Sequence, residues 1–235
     1  MQITADSHVA DLATMFPGTI RVFQHYGLDF CCGGKRPLGD VCREHGLDLA
    51  ALTQALTDSL AEECEDVDWS TRPLPELTAH ILRRFHEPLR AELPRLRAML
   101  DKVISRHGES FGAVLDPLSR TFDDFHADLL SHMQKEEVIL FPAIDAQGRG
   151  DTEGTPFPCG TIAAPVSVME MEHDHAGEAL ATMRRLTSDF TPPEWACPTF
   201  RGLYHGLAQL EGDMHLHVHL ENNVLFPRAL AAQAG

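Results

Sequence analysis

The stretch HMQKEEVILFP, residues 132–142, recurs 85 positions later as HVHLENNVLFP, residues 217–227. Both copies read H-x-x-x-E-x-x-x-L-F-P. The apolar residues that lead into them match as well: Leu118, Phe122, Phe125 and Leu129 before the first, Leu203, Leu207, Leu210 and Met214 before the second. Steps of three and four residues place these side chains on one helical stripe. His132 and Glu136, and likewise His217 and Glu221, fall on that stripe. At 3.6 residues per turn, positions i and i+4 point the same way, so each helix aims an imidazole and a carboxylate inward. An ionised glutamate buried without a partner is very costly, so it must be paired or bind a metal.

A second repeat, at an offset of 87, extends the pattern. Leu82, His86, Leu89, Leu93 and Leu96 correspond to Met169, His173, Ala176, Leu180 and Met183. One histidine interrupts an apolar stripe in each. A lone histidine on such a face is more often a satisfied core residue than a ligand, but two matched cases opposite two H-x-x-x-E helices reverse that balance. The expected ligand set is His86, His132, Glu136, His173, His217 and Glu221, with Glu136 and Glu221 as bridging carboxylates. Four imidazoles and two carboxylates exceed one tetrahedral zinc site and suit two metals. This donor chemistry favours iron or manganese over thiolate-seeking metals.

Four long amphipathic segments carry these residues, at 75–106, 114–146, 165–188 and 193–229, and predict an all-α four-helix bundle over 76–235. Ser167-x-x-Glu170 and Thr191-x-x-Glu194 read as capping boxes opening the last two helices. GRGDTEGTPFPCG, between segments two and three, reads as loop. Residues 1–62 read as a small domain of short helices punctuated by Pro17-Gly18, Gly27, Gly33-Gly34, Pro37 and Gly46, and 63–75 as a linker. Among the remaining histidines, His215 and His219 share a face with Glu211 opposite His217 and are expected to be exposed. His175 is placed at the cavity mouth. Asp174, Glu172 and Glu137 are the candidates for orienting imidazole N–H groups.

The chain has 235 residues, 35 acidic against 19 basic, and a formal net charge of -16. That field repels phosphate backbones and argues against nucleic-acid binding. No apolar run is long enough for a membrane helix. The first residues lack a basic then apolar leader, so a cytoplasmic setting is expected. Cys31, Cys32, Cys42, Cys64, Cys159 and Cys197 match no zinc or disulfide framework, and most are expected to be small buried hydrophobes. In the adjacent pair Cys31 and Cys32, flanking glycines leave the backbone flexible and Lys35 favours thiolate, which would suit thiol redox or iron transfer. Burial at a helix end is the equal alternative.

With these motifs in place, the C-terminal region resembles the hemerythrin-like family. It departs from that family at Gly177, where a fifth histidine stands, and in ending on H-x-x-x-E where hemerythrins have H-x-x-x-x-D. Both departures imply a more symmetric site with open positions at both irons and count against reversible oxygen carriage. YGLDFCCGGK at 26–35, with SHMQKEEVILFP, SVMEMEHDHAGE and LENNVLFPRAL, resembles the repair of iron centres family of ScdA-type and YtfE-type proteins over nearly the whole chain. The resemblance implies a cytoplasmic protein with two iron ions, carboxylate- and oxo-bridged, that restores iron–sulfur clusters damaged by nitric oxide or peroxide. Damaged iron–sulfur proteins would be transient partners, NO or O2 small ligands, and a homodimer through the N-terminal domain a further expectation. Reduction of NO to nitrous oxide, and reversible NO or O2 sensing, remain open alternatives. A ferritin-like oxidase fits less well, because Glu170-x-x-His173 is the one E-x-x-H in the bundle.

Overall fold

The computed structural model describes residues 3–31, 33–60, 68–150 and 161–234. The described residues are helical, with one isolated bridge between His8 and Pro37. They divide into two compact units, Thr78–Met214 and a second made of Met1–Leu77 with His215–Gly235. Among the described residues no helix is long and apolar enough to cross a membrane.

The larger unit is a four-rod helical bundle. The first rod joins α5 (Leu74–Ile81), a π turn at Leu82–His86 and the first part of α6 (Glu87–Lys135). Phe111, at φ -131° and ψ 18°, breaks α6 and starts the second rod. That rod continues through a π turn at Glu136–Leu140 and α7 (Phe141–Gly148). Residues nearly equidistant from Phe111 meet across the hairpin, which makes the two rods antiparallel. Arg97 Nε lies 2.8 Å from Asp123 Oδ1, Arg90 donates to Glu137 at 2.7 Å, and Thr78 Oγ1 donates to Asp145 Oδ1 at 2.7 Å. The third and fourth rods are α8 (Ala163–Leu186) and α9 (Pro198–Leu220). Charged contacts close the ring: Glu172 to His132, Arg184 to Glu211 at 3.0 Å, and Arg84 to Asp213 at 2.9 Å.

The stripes read from periodicity line the interior: His86, Leu89, Leu93 and Leu96, then Leu118, Phe122, Phe125, Leu129, His132 and Glu136, are all buried. Rods one and four come close where Gly206 faces Leu96; a Cβ there would lie 2.5 Å from Leu96 Cδ2. The turn after α8 holds Ser188, Asp189 and Phe190 at positive φ. Each such residue stores about 1–3 kcal/mol of strain. Thr187 steadies the turn: its Oγ1 donates to Met183 O at 2.7 Å and accepts from Phe190 N at 3.1 Å.

Two helix starts differ from expectation. Helix α8 begins at Ala163, so Ser167 and Glu170 lie inside it, and α9 begins at Pro198, so Thr191 and Glu194 precede it. Neither capping box forms. The Ile162 cap makes no side-chain bond, and the chain before Pro198 is occupied by the left-handed turn.

The smaller unit packs α1 (Val9–Met15), α2 (Thr19–His25), α3 (Leu38–His45) and α4 (Leu49–Ser59) around Leu12, Phe23, Phe30, Leu38, Leu52 and Leu56. Helices this short cannot bury enough alone. Leu216 of α9 joins their core, and Arg228 of α10 (Phe226–Ala234) donates to Trp69 O at 2.6 Å and to Arg72 O. The second half of the expected linker is thereby tied down, whereas residues 63–67 lie outside the described residues, as does most of the loop between α7 and α8.

The glycines after Cys31 are closely packed. A Cβ on Gly34 would sit 2.6 Å from Phe30 O and 2.9 Å from Ala10 Cβ. Ala10 N also donates to Gly34 O at 2.7 Å, so α1 and this loop touch through their backbones. Gly34→Ala is therefore expected to destabilise the protein by about 1–3 kcal/mol through overpacking. Urea unfolding checks this; an unchanged midpoint would show that the contact can relax.

Candidate metal centre

Three π turns punctuate the rods, and each has a candidate ligand at its end or start. His86 closes Leu82–His86, Glu136 opens Glu136–Leu140, and Glu221 opens Glu221–Leu225. The bonds that close them run i to i−5, from Glu87 N to Leu82 O, Phe141 N to Glu136 O and Phe226 N to Glu221 O. In each case a proline comes directly after the residue whose amide closes the turn: Pro88, Pro142 and Pro227. Proline offers no amide to the carbonyl four residues back and crowds it, which a widened turn relieves. Pro94 and Pro117 sit in α6 without a π turn, so proline alone does not produce one. The extra residue rotates the next stretch of the rod about its axis. Val138 and Ile139 are 67% and 45% exposed, while Leu140, Phe141 and Ile144 are buried.

In the bundle unit His86, His132, Glu136 and His173 converge. Glu136 is 0% exposed, and neither of its carboxylate oxygens makes a hydrogen bond to any described group. His132 Nε2 lies 3.3 Å and His86 Nε2 3.5 Å from Glu136 Oε2. The Nε2 atoms of His132 and His173 face each other at 3.0 Å. Ligand atoms of His132, Glu136 and His173 all lie within 4.8 Å of one another. Two nitrogens held about 2.1 Å from one ion on perpendicular bonds would stand about 3 Å apart, so this spacing fits a shared metal. In the smaller unit His217 Nε2 lies 2.9 Å from Glu221 Oε1, and both residues are 0% exposed.

Two carboxylates set the orientation of the imidazoles. His86 Nδ1 lies 2.8 Å from Glu137 Oε1, and Arg90 donates to both oxygens of Glu137 at 2.7 Å. His132 Nδ1 lies 3.0 Å from Glu172 Oε2, whose other oxygen pairs with Lys135. With Nδ1–H donated to a carboxylate, each Nε2 keeps its lone pair toward the interior. Burial pushes the Glu137 carboxyl up, but hydrogen bonds from Arg90 and His86 outweigh it and hold it below the usual range. Glu172 behaves alike, with burial opposed by Lys135 and His132. Both act as ionised acceptors.

A cavity of about 500 Å³, open to solvent, reaches His132 and His173 between the second and third rods, past Asp128, Lys135, Glu172 and His175. His175 does stand at this mouth.

His219 corrects an expectation. It is 2% exposed and packs edge-on against Phe30 at 5.6 Å, and burial pushes it down to about 4, against a smaller opposing effect of the Phe30 carbonyl. Glu211 is also buried, on Arg184, and His215 is partly buried beside Phe30. The face opposite His217 was expected to meet water because periodicity along one helix cannot show that Phe30, 189 residues earlier, covers it.

Cys31 is buried, and its thiol donates to Asp29 Oδ1 at 3.2 Å. Asp29 also accepts from Cys31 N at 2.9 Å and Gly33 N at 2.7 Å. A carboxylate is thus a charged group bonded to this sulfur. Cys32, Cys64 and Cys159 lie outside the described residues; Cys42 is buried, and desolvation followed by the charge of Asp48 raises its thiol.

Comparison with known proteins agrees with this geometry. A family model described as the hemerythrin HHE cation binding domain matches residues 77–229. The chain belongs to that family. The ScdA_N model, described as a domain of unknown function, matches residues 5–60. An iron-sulfur cluster repair protein YtfE from Dickeya chrysanthemi is 40% identical over 97% of this chain and 98% of its own length. The proteins of that name from Cronobacter sakazakii and Edwardsiella ictaluri are 42% identical over 97% of this chain and 43% over 96%, covering 98% and 97% of their own lengths. The chain is thus similar from end to end to YtfE-type proteins.

Removing an orienting carboxylate should loosen metal without unfolding the bundle. Glu137→Ala is expected to lower iron affinity about 10–100-fold. Competition with a chromophoric chelator measures it, and an unchanged affinity would mean that Glu137 serves only Arg90.

Proposed function

We propose that His86, His132, His173 and His217, with Glu136 and Glu221 as bridges, hold two iron ions in one centre. The protein would use that labile store to repair iron–sulfur clusters damaged by nitrosative or oxidative stress. The observation that carries the reading is Glu136, a carboxylate with no exposure and no hydrogen bond to any described group, set among imidazole nitrogens. A buried carboxylate in that state needs a cation. Carboxylate and imidazole donors without thiolate suit iron. The relatives' name, iron-sulfur cluster repair protein, supplies the use. When bound, the iron pair supplies open coordination positions, redox chemistry and the cargo itself.

The chain's own groups do the rest. Glu137 with Arg90, and Glu172 with Lys135, fix two imidazoles as neutral donors. The solvent-open cavity at His132 and His173 offers an ion a way in and out. The setting proposed is the cytoplasm, with damaged iron–sulfur proteins as transient partners. The same cavity also admits a diatomic molecule, which favours NO reduction or NO and O2 sensing as the second reading.

Metal analysis with Mössbauer spectroscopy on anaerobically prepared protein is expected to find two coupled irons per chain, lost in a Glu136→Ala, Glu221→Ala double variant. The loaded wild type should reactivate an NO-damaged iron–sulfur hydratase well above an equal amount of ferrous salt. Recovery no better than the salt would overturn repair. Nitrous oxide from the diferrous protein and NO would instead support the reductase, and a stable, reversible adduct the sensor.

A further inference from the structure

Residues Phe30 and Cys31 and the π turn Glu221–Leu225 belong to the same compact unit, and one side chain joins them. The Nδ2 of Asn223 lies 3.3 Å from Phe30 O, 3.2 Å from Cys31 O and 3.1 Å from His219 Nδ1. The two hydrogens of the amide NH2 match the two carbonyls, and His219 Nδ1 lies within hydrogen-bond distance of the same nitrogen. His219 Nδ1 itself stands 3.4 Å from Phe30 O, and its ring packs on the Phe30 ring. On the other side of the loop, Asp29 holds Cys31 N, Cys31 Sγ and Gly33 N. The thiol loop is therefore gripped locally by Asp29 and across the unit by Asn223.

Asn223 stands two residues after Glu221 in the same π turn. Such a turn is rare as an isolated structure and depends on its surroundings. A cation on Glu221 fixes the start of the turn and with it the direction of Asn223 two residues on; release of Glu221 frees the segment that aims Asn223 at the loop. We propose that Asn223, backed by His219, is a positioning residue that clamps the Cys31 loop to the ligand-bearing π turn. Metal occupancy and availability of the Cys31 thiol are thereby coupled. The metal-loaded protein keeps Cys31 covered, and loss of metal frees it at the moment iron has left. The coupling is reciprocal: a released loop weakens the hold on the metal by the same factor. This inference rests on Glu221 being a metal ligand.

The test measures the rate of iodoacetamide labelling at Cys31, resolved by tandem mass spectrometry, in the full-length protein with iron and after anaerobic chelation. Wild type should label at least about fivefold faster once iron is removed, the lower end of ordinary coupling between sites. Asn223→Ala, and Asn223→Asp, which keeps the volume but removes the NH2, should label fast with iron present and gain little on chelation. Circular dichroism and the urea midpoint check that both variants are folded. If they are not, the two wild-type rates decide. Wild-type rates indifferent to iron would overturn the coupling, and unchanged labelling in both folded variants would overturn the clamp. Wild type that holds no iron by metal analysis would defeat the reading of the site instead, while the effect of Asn223 on labelling would still be measurable.

Discussion

Burial of the Glu136 carboxylate among imidazoles is the constraint on which the bundle's interior turns. Desolvating an ionised carboxylate without compensation is far more costly than a single apolar contact can offset. The apolar stripes around it, from Leu118 through Leu129 and from Leu89 through Leu96, bring the rods together whether or not a cation is present. They do not compensate that charge. On the proposed reading a cation would compensate the carboxylate at this centre, and binding and folding would then be linked.

The π turns solve a geometric problem set by that arrangement. A helix that presents an inward histidine and an inward glutamate must then return apolar residues to the same interior. One inserted residue shifts the register so that Leu140 and Phe141 are buried while Val138 and Ile139 face out. The proline just beyond each turn makes the ordinary i to i−4 bond unavailable there. The same device at His86, Glu136 and Glu221 lets three rods combine a polar end with a continuous core.

The orienting carboxylates extend the polar network outward to water. Arg90 and Lys135 hold Glu137 and Glu172, which hold His86 and His132. Charge alternates along each chain from surface cation to inward lone pair. In the smaller unit the packing logic differs: four short helices complete their core with Leu216 of α9, and Phe30 contributes both a ring to that core and a carbonyl to the Asn223 contact.

The sequence by itself determined the rods and the residues on their inner faces, because periodicity is a local property that survives without knowledge of neighbours. The repeat at 85 residues singled out His132, Glu136, His217 and Glu221, and the apolar stripes marked His86 and His173. Glu137 and Glu172 were legible as candidates from their closeness to the candidate ligands, though not which imidazole each serves: Glu172 reaches across to His132 on another rod. The prolines at 88, 142 and 227 were a readable mark of the π turns, but Pro94 and Pro117 show why the mark is ambiguous. Only the tertiary structure decided that His219 is buried, that the glycines after Cys31 are close-packed, and that residues 215–235 share a unit with residues 1–77. Each depends at least in part on contact between segments apart in the chain, as where Gly34 meets Ala10, and the energy of meeting is set by shape and by hydrogen bonds that no local pattern records.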